Sequence, residues 1–255
     1  MVSLTHTAAD PHSRRKRFFI CIAIIMLVVA ALGFGKSFYL RPLFSSKPLP
    51  SYLVVHGITM TVWFLLFLVQ ASLVSAKRID IHRKLGIAGV ALAACVLVTG
   101  IVVNLNVIPR MLALGQISKP EEGVQFALSS LSGLIPFAIL IFLAVVLRRK
   151  ASIHKRLMFW AFAWILGPAF VNTRPLGQVL DSLVSPYLPF FPSDFIWLFA
   201  LMAYDWKIER RVHPATYIPF VLLALFAILA TPWIAGNEML QDWLLTHVQS
   251  IGQSA

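Results

Sequence analysis

Two short phrases of this chain place a histidine among fixed cations at the start of a long apolar run. The first is DIHRKLGIA, residues 80–88, and the second is SIHKRLMFW, residues 152–160. A third histidine, His213, follows Arg210 and Arg211 and precedes Pro214. The positive end of a helix dipole and neighbouring cations both disfavour imidazolium. Neutral imidazole is the form that binds metal ions, so these histidines are candidate ligands.

The first hypothesis pairs His82 with His154. A haem held by two histidines needs one imidazole from each of two facing helices, with little bulk beside them. Gly86 and Gly89 follow His82 on the same helical face and offer a flat strip on which a ring can lie. The pattern favours haem b, but small residues at this spacing also let membrane helices pack closely, and HRK and HKR also occur as basic helix caps.

A second hypothesis uses all three histidines. His82, His154 and His213 are predicted to lie at one membrane level, where they would hold Zn or Fe. Asp205 precedes His213 by eight residues and would fix the imidazole tautomer by accepting a hydrogen bond from it, as carboxylates near metal sites often do. Such an acid also pairs commonly with nearby arginines.

A polar stripe follows the second apolar run. His56, Trp63 and Gln70 are seven residues apart, so they lie on one helical face, and polar groups in a membrane segment should face the bundle interior. The stripe is compatible with a quinone site or a proton path, and equally with hydrogen bonding between helices.

The composition indicates a membrane protein. Of the 255 residues 59% are hydrophobic and 13% are charged, whereas soluble domains have about 25% charged residues. The net charge of +12 does not indicate a nucleic-acid-binding protein, because the cations occur in short clusters between apolar runs. The two cysteines lie inside apolar runs and suit neither a disulfide framework nor a CxxC metal site.

The apolar runs predict an all-α bundle of seven transmembrane helices. A span needs about 20 apolar residues, and the seven runs that meet or approach this length are 18–35, 52–75, 85–106, 124–147, 155–172, 191–206 and 215–235. An inside N-terminus and an outside C-terminus place 16 of the 22 Lys and Arg residues in the cytoplasm.

Three parts of the chain follow from this topology. Residues 1–17 form a basic cytoplasmic N-terminus and residues 18–235 form the transmembrane domain. Residues 236–255 form a short tail on the outer face, with Met239, Trp243, Leu244 and Val248 at helical spacing. The expected partner is the lipid bilayer, and the expected location is the inner membrane of a bacterium.

The phrases FYLRPLF, HGITMTVWFLLFLVQ, HRKLGIAG, HKRLM, PAFVNTR and YDWKIERRVHP resemble an uncharacterised family of bacterial multi-pass membrane proteins. A weaker likeness is to the ascorbate-reducible transmembrane di-haem cytochromes, which implies His82 and His154 as one ligand pair. His56 has no histidine opposite it in the fourth span, so that likeness implies at most one haem. The three histidines also resemble the zinc site of the adiponectin receptor and alkaline ceramidase group, although the paired histidines of that group's last span are absent.

Three functions follow from these patterns. The first is haem binding with a redox or electron-transfer role, with a quinone or another redox protein as partner. The second is a histidine-ligated metal-dependent enzyme that acts on a lipid. The third is a non-enzymatic assembly or structural role in the membrane, and the sequence leaves open whether the protein is an enzyme.

Overall fold

The computed structural model describes residues 11–173, 179 and 192–253, and these residues contain helices but no strand. The first six helices are α1 (Pro11–Gly33), α2 (Ser51–Ser75), α3 (Ile79–Leu105), α4 (Val107–Ala113), α5 (Glu121–Ser132) and α6 (Leu134–Val146). The next six are α7 (Ala151–Trp164), α8 (Gly167–Val171), α9 (Pro192–Glu209), α10 (Pro214–Leu225), α11 (Thr231–Ala235) and α12 (Glu238–Gln253). The predicted all-α class is confirmed for this part of the chain.

Four helical segments are long and apolar enough to cross a membrane. They are α2, α3, the α5–α6 segment Glu121–Val146, and the α10–α11 segment Pro214–Ala235. The apolar part of α1, Arg17–Gly33, is shorter. The predicted fifth and sixth spans do not qualify, because α7 has only 14 residues and α9 carries Asp194, Asp205, Lys207 and Glu209. Apolar helices of this length support an integral membrane protein.

The short helix α7 lies in the centre of the bundle. Its residues Phe159, Trp160, Ala161 and Phe162 are buried, and α7 packs against α6, α9 and α10. The ring of Phe162 stacks on Trp63 of α2 with a centroid distance of 4.4 Å. A helix that is covered by other helices need not be uniformly apolar, because protein groups rather than lipid surround it.

Two proline-containing breaks shape the bundle. Pro136 has no backbone N–H to donate, and the predicted fourth span is divided into α5 and α6 at Gly133. The indole Nε1–H of Trp164 donates to the Gly133 carbonyl at 2.8 Å. This bond links α7 to the break, and α7 itself ends just before Gly167 and Pro168.

The amphipathic tail helix α12 packs on the bundle by one of its two apolar stripes. Leu244 and Val248 are buried in a cluster with Ile108 of α4 and Leu128 of α5. Met239 and Trp243 of the neighbouring stripe are exposed.

Candidate functional site

The helices α3 and α7 begin in the same way. Arg78 and Lys150 are the N-cap residues, and the backbone N–H groups of His82 and His154 donate to their carbonyls at 3.0 Å in both cases. Neither helix has a side-chain cap, and Asp80 instead lies 3.4 Å from the Arg78 guanidinium. The helix α3 begins at Ile79 and α7 begins at Ala151, so both histidines occupy the first turn.

The two histidine rings lie next to each other. Their centroids are 6.4 Å apart, and the ring planes meet at 86°. Two imidazoles on opposite sides of one metal ion, with metal–nitrogen bonds of about 2.0–2.1 Å, place their ring centres roughly 6 Å apart. The separation of His82 and His154 is therefore compatible with two imidazoles that would hold one metal ion.

His154 is oriented by a hydrogen bond from outside its own helix. Its Nδ1 atom lies 2.8 Å from the Ala144 carbonyl oxygen in α6. A carbonyl only accepts hydrogen bonds, so Nδ1 carries the proton and Nε2 keeps its lone pair. Metal-ligating histidines usually have this arrangement, in which one nitrogen is fixed by a carbonyl and the other is free to bind.

The ring of His82 has a buried nitrogen without a hydrogen-bond partner, namely Nδ1. The Gln70 side-chain oxygen is also buried and unpaired. Buried polar atoms are rarely unpaired, because each one costs about 1–3 kcal/mol.

The glycine strip beside His82 faces α2. A Cβ atom at Gly89 would lie 3.1 Å from the Leu66 Cδ2 atom, and one at Gly86 would lie 3.9 Å from the Gln70 amide nitrogen. The glycines therefore let α2 approach α3 closely. A porphyrin edge at this strip would require the side chains of Leu66 and Gln70 to move aside.

The third histidine has a different environment. His213 is the N-cap of α10, and its Nδ1 atom accepts a hydrogen bond from the Ala215 backbone at 3.0 Å. Asp205 accepts from the backbone N–H of His213 at 2.9 Å rather than from its ring, because the ring is turned towards Ala215. Within the described ranges, no group of three or more His, Cys, Asp or Glu side chains could hold a metal ion.

A buried charged cluster lies two residues beyond His154. Arg156 and Asp205 are both 0% exposed and form an ion pair, and Glu209 approaches Arg156 at 3.0 Å. Arg156 also donates to the Thr216 hydroxyl at 3.1 Å and to the Ser152 carbonyl at 2.7 Å.

Thr216 completes this cluster. Its hydroxyl donates to Asp205 at 2.5 Å, and its carbonyl accepts from the Trp160 indole at 2.9 Å. The cluster joins α7, α9 and α10. From the sequence, Arg156 is predicted only as one of the cytoplasmic cations, and the acid in α9 is the one indication of its burial.

The polar stripe on α2 is divided among three surroundings. His56 Nδ1 lies 3.1 Å from the Thr99 hydroxyl of α3. That hydroxyl donates to the Cys95 carbonyl, so His56 is the donor to Thr99. Trp63 is buried with its Nε1 atom unpaired, as is the side-chain oxygen of Gln70. The stripe therefore faces the protein interior, and only His56 makes a side-chain hydrogen bond to another helix.

The chain matches no protein-family model, no curated protein and no solved structure.

Proposed function

We propose that the protein is an inner-membrane electron carrier that holds haem b between His82 and His154. The observation that carries this proposal is the arrangement of the two imidazoles, 6.4 Å apart on two helices, with His154 fixed by the Ala144 carbonyl. When bound, haem would supply a reversible one-electron couple within the membrane. A membrane quinone or another redox protein would be the electron partner.

The protein's own residues would perform three tasks in this function. His82 and His154 would hold the haem iron through their imidazole nitrogens, and the Ala144 carbonyl would keep the His154 lone pair directed away from α6. Leu66 and Gln70 would adjust beside Gly86 and Gly89 to admit the ring edge. The helices around α7 would exclude water from the centre of the bundle. Nearby charges would therefore have a stronger electrostatic effect there.

The proposal includes a topology of seven spans with the N-terminus inside. The complete burial of Phe159 and Trp160 supports α7 as a span that neighbouring helices enclose. Reporter fusions after Arg149 and Arg211 should indicate the cytoplasm, and fusions after Lys119 and at the C-terminus should indicate the outer side. A cytoplasmic C-terminus would contradict the seven-span count.

The haem proposal is tested on protein purified in detergent after expression with adequate iron and haem precursor. Elemental and pigment analysis should give about one iron and one porphyrin per chain. Two axial imidazoles should give a low-spin reduced-minus-oxidised spectrum and weak carbon monoxide binding, because no coordination position is open. His82→Ala and His154→Ala should each remove this spectrum or convert it to a high-spin form that binds carbon monoxide.

Two control variants distinguish ligation from general disturbance. His213→Ala should leave the spectrum nearly unchanged, because its Nδ1 atom caps α10, and His247→Ala on α12 should have no effect. An unaltered spectrum in the His82 and His154 variants would contradict the ligand pair. Zinc or iron without porphyrin, lost equally on replacement of His82, His154 or His213, would instead support the metal-dependent enzyme. Absence of both metals would support a structural role.

A further inference from the structure

A second candidate site, independent of the histidine pair, lies between the start of the apolar part of α1 and the end of α9. A cavity of about 320 Å³ opens there. Arg17 and Lys207 line it, and both side chains are exposed. Phe18, Ala203 and Ala200 provide apolar wall. The cavity thus combines two cations with an apolar surface.

The apolar wall extends away from the cations along α9. Lys207 and Ala200 are seven residues apart, which corresponds to roughly 10 Å of helix. Phe18 stacks on Tyr204 with a centroid distance of 4.4 Å, and the buried Tyr204 also lines the cavity. The charged end and the apolar end together suit an amphipathic ligand rather than a free ion.

The charges near the cavity are not balanced. Lys155 and Arg156 have carboxylate partners in Asp205 and Glu209. Within the described part of the chain, Arg17 and Lys207 form no ion pair with an acid. Among the described residues, these two cations at the cavity therefore have no paired acid, and they attract an anionic group at the membrane surface.

We propose that this cavity binds an anionic phospholipid. Its phosphate and headgroup would lie between Arg17 and Lys207, and the upper part of an acyl chain would lie against Phe18, Ala203 and Ala200. Basic pockets between membrane helices recognise anionic headgroups in this way. A zwitterionic lipid offers the same chains without the net negative charge, so the two cations distinguish anionic from zwitterionic lipids.

The test measures the affinity of delipidated protein for phosphatidylglycerol and phosphatidylcholine in mixed detergent micelles, by native mass spectrometry. Phosphatidylglycerol should bind more tightly. A basic residue near an anionic surface contributes about fivefold in affinity. Arg17→Gln and Lys207→Gln should therefore each weaken the binding of phosphatidylglycerol by about that factor. Binding of phosphatidylcholine should change little. Ala203→Phe retains both cations but fills the cavity, so it should also weaken the binding of phosphatidylglycerol.

Matched variants elsewhere control for total charge and bulk. Arg149→Gln and Lys150→Gln remove two exposed cations, and Ala91→Phe adds the same bulk at an exposed alanine of α3. None of these should affect the lipid preference. Equal binding of both lipids, or an unchanged preference in Arg17→Gln and Ala203→Phe, would overturn the proposal. Displacement of phosphatidylglycerol by millimolar inorganic phosphate would also overturn it, because the site would then be a simple anion site.

Discussion

Two polar regions meet at the start of α7, and they differ in how far the protein satisfies its own groups. In the Arg156 cluster, the guanidinium has four partners, and Asp205 accepts hydrogen bonds from three residues. The histidine pair includes His154, which lies two residues before Arg156. In this pair, the Nδ1 atom of His82 is buried without a partner. A cluster in which every buried polar group has a partner stabilises the packing of the helices. A buried polar atom without a partner indicates that a further group binds there.

The energetic roles of the two regions should differ accordingly. Removal of one member of a buried ion pair leaves an uncompensated charge, which is strongly destabilising. Removal of a buried atom that has no partner costs almost nothing, because it ends a desolvation penalty. Substitutions at the two regions therefore test the comparison directly.

The largest expected effect is that of Asp205→Asn. Arg156 would lose its fully buried counter-charge, and only the partly exposed Glu209 would remain. The expected loss of unfolding free energy is about 3 kcal/mol, near the lower end of the range for a broken buried pair because of Glu209. Denaturation by sodium dodecyl sulfate from mild detergent, followed by circular dichroism, measures this loss.

The surface pair provides the control for this variant. Asp80→Asn removes an aspartate that lies 3.4 Å from Arg78, but both side chains are largely exposed. Exposed pairs contribute little, so this variant should unfold as the unsubstituted protein does. Equal stability of the Asp205 and Asp80 variants would show that the buried cluster does not stabilise the folded protein.

Smaller effects on stability are expected at the two histidines in protein without a bound metal, and the two substitutions should differ in direction. His154→Leu should destabilise by about 1–3 kcal/mol, the usual cost of a buried acceptor without a donor. The acceptor is Ala144, which is fully buried. The nearby Arg148 N–H bonds to the Val145 carbonyl instead. The same denaturation assay measures the change.

His82→Leu should leave the stability of the metal-free protein unchanged or slightly raised. Its Nδ1 atom has no partner to lose, and the leucine adds apolar surface. Both variants should nevertheless lose haem. A large destabilisation by His82→Leu would show that this ring is a packing element, and the contrast with the Arg156 cluster would then disappear.

Most helix positions could be predicted from the sequence, because apolar runs of span length are a direct consequence of bilayer thickness. The four candidate spans α2, α3, α5–α6 and α10–α11 agree with predicted runs to within about three residues, except that α3 begins six residues before its run. The division of the fourth run at Gly133 could not be predicted, because a proline in a membrane helix is compatible with a kink or with a break.

The histidine pair was predicted from repeated phrases, and the structure places the two rings together. The burial of Arg156 could not be predicted, because its partners Asp205 and Thr216 are distant in sequence. A single sequence does not indicate which face of α7 meets α9 and α10. The glycine strip was ambiguous for the same reason: its partner Leu66 lies on another helix.

The smallest expected effect concerns the pH dependence of His213, at the edge of the Arg156 cluster. Burial lowers the pKa of His213 below its usual value of 6.5, and the charge of Arg156 lowers it further, against the opposing effect of Glu209 and Asp205. Because the folded protein disfavours the proton, the stabilising contribution of neutral His213 is complete above pH 6.5 and is lost as the pH falls through the lower pKa of the folded state. His213→Asn retains an N-cap acceptor for α10 but cannot titrate. Its denaturation midpoint should therefore fall less than that of the unsubstituted protein between pH 7 and about pH 5, the region below the usual histidine pKa. Parallel pH profiles for the two proteins would show that His213 makes no contribution to the acid sensitivity of the cluster.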